Sequence, residues 1–260
     1  MTWTHETLTL AGGRTQVVHR AGDGPPLLWL HSLYGFDPDD GVLADLVTRY
    51  SVLAPVTPGM TDLGELDDID DFHDLALHYD DVLEACRLDS VTVVGHSFGA
   101  LIGAELAAHF PHRVTRLALL SPLGLWVDDE PVLDVFAVPY ADVAEVLYAD
   151  PDNANLRSEQ TETGERDIEA VVALAQAMTT VAKFLWPVPD KGLRKRLYRV
   201  SAPALVVYGE KDAVVAPSYG DRFAELLPDG RADIVPDAGH MTTREQPEAV
   251  SGLLRAFLVS

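Results

Sequence analysis

The stretch Val93-Val94-Gly95-His96-Ser97-Phe98-Gly99-Ala100 sets a serine between two glycines, where an apolar run gives way to a helical one. On so tight a strand-to-helix turn the central residue is held in a strained backbone conformation, and the two elements pass too close for bulky flanking residues. Gly95 and Gly99 meet that demand. The strain would lift the Ser97 hydroxyl above the strand end, beside helix N-terminal N–H groups whose dipole favours developing negative charge. Nucleophilic attack on a carbonyl is the chemistry such a residue serves.

A serine hydroxyl attacks poorly near neutrality unless a base takes its proton and an acid orients that base. Of the nine histidines, His240 lies in Pro236-Asp237-Ala238-Gly239-His240-Met241, directly after the last apolar run. Asp212 lies in Gly209-Glu210-Lys211-Asp212, directly after the apolar run 204–208. Both positions are loops at the carboxyl ends of strands, where parallel sheets carry their sites. Asp128 and Asp129, after the sixth run, are rivals for the acid. Asp237 and Glu210 read as loop-shaping residues. His96 is held inside the turn and His31 belongs to an earlier loop, so packing or loop hydrogen bonding suits both better than catalysis.

Short apolar runs alternate with helical patterns for most of the length, which is the pattern of a largely parallel sheet covered by helices. An antiparallel hairpin, 7–10 with 16–19 across Ala11-Gly12-Gly13, opens the chain. Further strands are expected at 27–30, 52–54, 91–94, 116–120, 204–208 and 232–235. Phe72, Leu75, Ala76, Tyr79, Leu83 and Cys86 repeat at helical spacing, with Asp70 or Asp71 available as the cap. An apolar helix over 98–110 is stopped by Pro111 and is expected to lie against the sheet. From 122 to 200 the alternation breaks down, leaving mostly helical sequence with its clearest helix at 168–184. A segment that long between two strands commonly covers a binding site.

Over essentially its whole length the sequence resembles the α/β-hydrolase fold superfamily. The elbow at Ser97, the order Ser97, Asp212, His240, the insertion after the sixth strand, and Gly239-His240 followed by Glu245-Gln246-Pro247-Glu248 all carry the resemblance. It implies an α/β fold with a mostly parallel eight-stranded sheet flanked by helices, a core from 1–121 and 201–260, and a helical cap from 122–200. It further implies Ser97 as nucleophile, His240 as base and Asp212 as orienting acid. Two backbone N–H groups would form the oxyanion hole: that of Phe98, and that of Leu33 in Leu30-His31-Ser32-Leu33-Tyr34-Gly35. This loop is similar to the family's His-Gly-x-x-Gly, with Ser32 where the family has glycine. No cofactor and no metal are expected. His31, Trp126, Phe136, Tyr140, Phe184, Trp186 and Met241 are candidates to line the substrate pocket, and as a group they favour an apolar substrate.

Composition narrows the partners. The 260 residues carry 41 acidic and 19 basic side chains, a formal charge of -22 that disfavours nucleic acid and anionic membrane surfaces. Apolar residues make up 47% of the chain, enough to build a core, so global disorder is excluded. Uncharged stretches stay short of the roughly 18 residues a membrane span needs, and no signal peptide is visible at the start. A cytoplasmic location is therefore expected. With Cys86 as the single cysteine, no intramolecular disulfide can form. Seven carboxylates between Asp62 and Asp74 lack the ligand spacing of a calcium loop and read as a solvated stretch leading into a capped helix.

The expected activity is hydrolysis of an apolar, small to medium carboxylic ester through an acyl-enzyme. The expected partner is that small molecule, neutral or cationic sooner than anionic, with monomer and homodimer both open. Carbon-carbon bond hydrolysis of vinylogous diketones is the second enzymatic reading; its anionic substrates want a cation, for which Lys183, Arg157 and Arg166 are available. A ligand-sensing protein is the non-enzymatic reading.

Overall fold

Alternate residues of the central strands part to opposite faces, and helices cover both. The computed structural model describes residues 2–139, 142–151 and 168–259. Its strands are β1 (Thr4–Thr9), β2 (Thr15–Ala21), β3 (Pro26–Leu30), β4 (Ser51–Pro55), β5 (Val91–His96), β6 (Val114–Leu120), β7 (Ala204–Gly209) and β8 (Gly230–Val235). They form one eight-stranded sheet in the order β1-β2-β4-β3-β5-β6-β7-β8. The pairs β1/β2 and β2/β4 are antiparallel and every other neighbouring pair is parallel. In β5 and β7 every residue is buried, so apolar side chains such as Val93-Val94 and Leu205-Val206-Val207 follow one another without polar alternation.

The helices are α1 (Gly41–Leu46), α2 (Phe72–Ala85), α3 (Phe98–His109), α4 (Val143–Leu147), α5 (Ile168–Leu185), α6 (Tyr219–Leu226), α7 (Thr242–Glu245) and α8 (Pro247–Leu258). One face of the sheet, with Leu28, Leu30, Val93, Leu117 and Val206, packs against residues of α2 and α3. The other, with Leu27, Trp29, Val94, Ala118 and Val207, packs against Val42, Leu43 and Leu46 of α1 and Val250 and Leu254 of α8. Asp71 caps α2 by accepting from the His73 and Asp74 N–H groups at 2.8 and 3.1 Å, which settles the choice between Asp70 and Asp71. Helix α3 is buried from Phe98 to Ala108. Its single carboxylate, Glu105, is tolerated there because Arg196 Nε donates to it at 2.8 Å.

The chain order explains where a site can form. After β3 the chain passes through α1 to β4 on one side; after β4 it crosses to β5 on the other. The loops that follow the neighbouring strands β3 and β5 therefore leave in opposite directions and open a crevice at the carboxyl ends of the strands. Between β6 and β7 the described residues hold the α-helices α4 and α5 and short single turns at 135–137, 193–195 and 197–199. Helix α5 is long and apolar enough, by length and composition, to cross a membrane. It buries Leu174, Ala177, Thr180, Val181, Phe184 and Leu185 within the fold.

Candidate active site

Ser97 sits between the last residue of β5 and the first of α3 with φ of 55°, a left-handed conformation that costs a non-glycine residue energy. A Cβ on Gly99 would overlap the Leu30 and His31 carbonyls, and one on Gly95 would overlap the Ala100 backbone. The sequence reading of both glycines thus has a physical cause: α3 runs directly over the ends of β3 and β5. The turn is pinned by the Ser97 N–H donating to the Leu120 carbonyl at 2.8 Å.

Three strand ends deliver three side chains to one place. Ser97 Oγ lies 2.8 Å from His240 Nε2, and His240 Nδ1 lies 2.9 Å from Asp212 Oδ2. Relative exposures of 0% for Ser97, 1% for His240 and 6% for Asp212 put the chain of bonds out of water, where each is electrostatically stronger. A carboxylate only accepts, so Nδ1 of His240 carries the hydrogen and Nε2 presents its lone pair to the serine hydroxyl. Asp212 is itself held: its Oδ1 accepts from the Val214 and Val215 N–H groups, both at 2.9 Å.

Asp128 and Asp129 are exposed and away from His240; Asp128 accepts from Trp126 Nε1 at 2.9 Å. Asp237 pairs with Lys211 at 2.6 Å, and Glu210 accepts from the Asp237 N–H at 3.3 Å, so both shape the loop as expected of them. The acidic stretch is spent largely on turns: Asp62 accepts from Gly64 N–H, Glu65 from Gly59 N–H and Asp74 from Asp70 N–H.

The loop after β3 reaches the same crevice. His31 Nδ1 donates to the Ser32 carbonyl at 2.8 Å while its Nε2 accepts from the Thr57 N–H at 3.0 Å, and the Gly35 N–H closes a turn onto the Ser32 carbonyl at 3.1 Å. Positive φ falls on Gly35, at 79°, and not on position 32, so a serine fits there without strain. Among the described residues neither the Leu33 N–H nor the Phe98 N–H has a hydrogen-bond acceptor, which leaves both available to an anion.

His240 is fixed from both sides. The Gly239 N–H donates to Glu245 Oε2 at 2.7 Å and the Ala149 N–H to Glu245 Oε1 at 2.7 Å, while the Met241 N–H donates to the Leu147 carbonyl at 3.2 Å. A Cβ on Gly239 would overlap the backbone of 147–149. From below, His96 Nε2 donates to the His240 carbonyl at 3.0 Å.

A cavity of about 70 Å³ opens onto Ser97 and His240. Leu33, Trp126, Phe136, Leu147, Val181, Leu185 and Trp186 are among its walls; among the described residues no lysine or arginine lines it, and Asp134, which also lines it, accepts from the Phe136 N–H at 3.0 Å. Of the expected lining residues, Trp126, Phe136 and Trp186 stand on it. Phe184 does not: it turns the other way along α5 and packs on Phe72 and Phe98, with ring centroids 5.6 and 5.8 Å apart. His31 and Met241 also lie off this cavity, with His31 consumed by its loop and both residues behind it. Tyr140 lies outside the described residues, as do Arg157 and Arg166. The aliphatic walls went unread in the sequence because an isolated leucine or valine there carries no signal that separates lining from core.

Burial also sets an acid sensitivity. It pushes His31 and His78 down to about 4 and His96 to about 3, and it pushes the Asp40 carboxyl up to about 6. Below the usual histidine pKa of about 6.5, an unfolded chain protonates these three imidazoles while the folded one keeps them neutral until about pH 4. Asp40 acts oppositely, since the folded state holds its proton up to about pH 6. Near pH 5 these groups together take up about two protons on unfolding, so stability falls as the pH falls, by about 3 kcal/mol per unit. The thermal midpoint is expected to drop steeply between pH 6.5 and 4.5; a midpoint constant over that window contradicts the assignment.

The family model described as the alpha/beta hydrolase fold matches residues 25–245. The chain is similar to Esterase YbfF of Escherichia coli K12, with 26% identity over 251 residues, 94% of this chain and 97% of the relative. It is 27% identical over 272 residues to 2-hydroxy-6-oxo-6-(2'-aminophenyl)hexa-2,4-dienoic acid hydrolase of Metapseudomonas resinovorans, 97% of this chain and 90% of that one. Among solved structures, naproxen esterase (carboxylesterase NP) from Bacillus subtilis matches with a TM-score of 0.76 at 20% identity, over 99% of this chain and 92% of that one.

Proposed function

The chain belongs to the α/β-hydrolase fold family, and from that premise we propose that it is a serine hydrolase that cleaves neutral carboxylic esters with a small apolar acyl group through an acyl-enzyme. The observation that carries this reading is the buried series Ser97, His240, Asp212 opening onto a small apolar cavity that no lysine or arginine among the described residues lines.

His240 Nε2 takes the proton of Ser97 as Oγ bonds to the ester carbonyl carbon. The N–H groups of Leu33 and Phe98 donate to the carbonyl oxygen as negative charge develops on it, each supplying roughly 2.7 to 4 kcal/mol. The carbon-oxygen bond to the alcohol breaks, and His240 returns the proton to the departing oxygen. Water then gives a proton to His240, its oxygen bonds to the acyl carbon, the Ser97 ester breaks, and Oγ recovers the proton. Asp212 keeps the imidazole in the tautomer that can accept. The segment 122–200 acts as the cap that excludes water from these steps.

A cavity of about 70 Å³ is smaller than the about 150 Å³ that holds a benzene ring, so acetyl to butyryl groups suit it better than aromatic acyl groups. Similarity to the named hexadienoic acid hydrolase makes carbon-carbon bond cleavage the second reaction to measure. The lining disfavours it: Lys183, the described candidate cation, donates to the Leu66 carbonyl at 2.9 Å and is not on the cavity. The test is a panel of p-nitrophenyl acetate, butyrate, octanoate and benzoate beside a vinylogous diketone acid. The expected result is a burst of nitrophenol and fastest turnover for the short esters. A protein inert to every ester refutes the esterase reading, and turnover of the diketone acid alone replaces it with the second.

A further inference from the structure

The cavity at Ser97 is too small for both halves of an ester. At about 70 Å³ it takes a short acyl group and leaves the alcohol half to lie elsewhere. Among the described residues two other hollows share a wall residue with it. One, of about 580 Å³, shares Leu33, the residue that supplies an oxyanion donor in the reading above; the other, of about 500 Å³, shares Trp126. The hollow behind Trp126 is charged, with Arg194, Lys195, Arg222 and Glu225 on its walls, and Arg194 pairs with Asp190 at 3.3 Å and Arg222 with Glu130 at 3.8 Å. The hollow beside Leu33 is a groove of the opposite character. Charged side chains make up 23% of the sequence, yet among the described residues no aspartate, glutamate, lysine or arginine lines it.

One wall of this groove is aromatic. The Phe36 ring, in the loop after β3, meets Trp3 edge-on at 4.9 Å and stacks on His19 of β2 at 4.0 Å. Another wall is α5, which presents Ala173, Leu174 and Ala177. That wall is fixed, since Thr180 Oγ1 and Gln176 Nε2 both donate to the Gly59 carbonyl, at 2.8 and 3.1 Å, beside Met60, which also lines the groove. The same helix face runs on to the catalytic cavity. Leu174 and Ala177 line the groove while Val181 and Leu185 line the cavity, and this spacing keeps all four on one stripe. From Ala177 to Val181 is one helical turn, about 6 Å, a distance that an alcohol of about four carbons spans.

We propose that this groove binds the alcohol half of the ester, so that the substrate joins a short acyl group to a neutral apolar alcohol, alkyl or aryl-alkyl, long enough to pass Leu33. This rests on the serine-hydrolase reading above. The alcohol takes part in acylation and is gone before deacylation, so its length is read in kcat/KM. With the acetyl group held constant, kcat/KM followed by proton release is expected to rise about 10- to 100-fold from ethyl to hexyl acetate, because each methylene that leaves water for the groove adds a few-fold. The ester 3-phenylpropyl acetate is expected to match hexyl acetate, its ring lying against the aromatic wall. Ala173 is exposed on α5, so it can carry a larger side chain without entering the core. Ala173→Trp is expected to fill the groove and bring the hexyl-to-ethyl ratio to within about threefold of unity. Thr61→Trp, also exposed and on the groove, is expected to do the same and serves in its place if that variant does not fold. A ratio taken within one preparation cancels any loss of folded protein.

A parent ratio that both tryptophans leave intact overturns the proposal. A rise from ethyl acetate to ethyl hexanoate with none along the alcohols puts the acyl chain in the groove and overturns it too. Faster turnover of an acetate whose alcohol carries a carboxylate than of a neutral acetate of equal length moves the alcohol to the hollow behind Trp126, with the same consequence. A parent inert to every acetate, p-nitrophenyl acetate included, refutes the hydrolase reading and this proposal with it. A parent that cleaves p-nitrophenyl acetate but shows no rise with alcohol length refutes this proposal alone.

Discussion

Ser97→Ala is expected to lower kcat for p-nitrophenyl acetate by about 10⁶-fold, because no other hydroxyl or thiol lines the cavity among the described residues once Oγ is gone. His240 Nε2 would then face a methyl group, and His240 and Asp212 act on nothing. The fold should tolerate the change: alanine has the same Cβ and can occupy the left-handed conformation, φ of 55°, that serine already occupies. The position is wholly buried and its N–H still reaches the Leu120 carbonyl. The expected thermal midpoint therefore lies within a few degrees of the parent. Two measurements check this: steady-state rates, and intact mass after treatment with a fluorophosphonate, which should add one adduct to the parent and none to the variant. An adduct on the variant, or turnover at the parent's rate, would place the nucleophile elsewhere.

The second large effect concerns a proton on the wrong nitrogen. Asp212→Asn is expected to lower kcat about 10⁴-fold while leaving KM nearly unchanged. The direction follows from the donors around the carboxylate. Val214 and Val215 both point N–H groups at Oδ1, so an asparagine must place its carbonyl oxygen there. Its amide nitrogen then occupies the Oδ2 position, 2.9 Å from His240 Nδ1, and offers a hydrogen where the carboxylate accepted one. His240 Nδ1 must accept, its hydrogen moves to Nε2, and Nε2 now donates to Ser97 in place of taking its proton. Burying the pair prevents water from relieving that mismatch, with His240 at 1% exposure. A decline of less than about tenfold would mean that Asp212 orients the base weakly. Asp212→Ala is a control, since removing the carboxylate leaves the tautomer unconstrained and should cost less than asparagine if the wrong tautomer is the cause.

Eight strands, the strand-turn-helix at Ser97, and the positions of Asp212 and His240 after their strands could all be read from the residues, because each follows from local pattern. Apolar runs without alternation mark buried parallel strands, and two glycines around a serine mark a turn too tight for side chains. The cavity walls could not be read in the same way. Phe184 looks as suited to a pocket as Trp186, yet Phe184, on α5, packs on Phe72 while Trp186, just past the end of that helix, lines the cavity at Ser97. His31 carries the same ring as His240, but its two nitrogens are consumed by Ser32 and Thr57.

The family, the order of its elements, and the candidate nucleophile, base and acid are properties of the sequence alone, because backbone geometry and side-chain periodicity act over a few neighbouring residues. Which carboxylate meets the base, what lines the cavity, and the ion pair between Asp37 of the loop after β3 and Arg244 of α7 belong to the tertiary structure. Those contacts join residues as far apart in the chain as Ser97 and His240, or Asp37 and Arg244. Only the side-by-side pairing of β3, β5, β6, β7 and β8, and the direction in which each following loop leaves the sheet, brings such residues within hydrogen-bond reach.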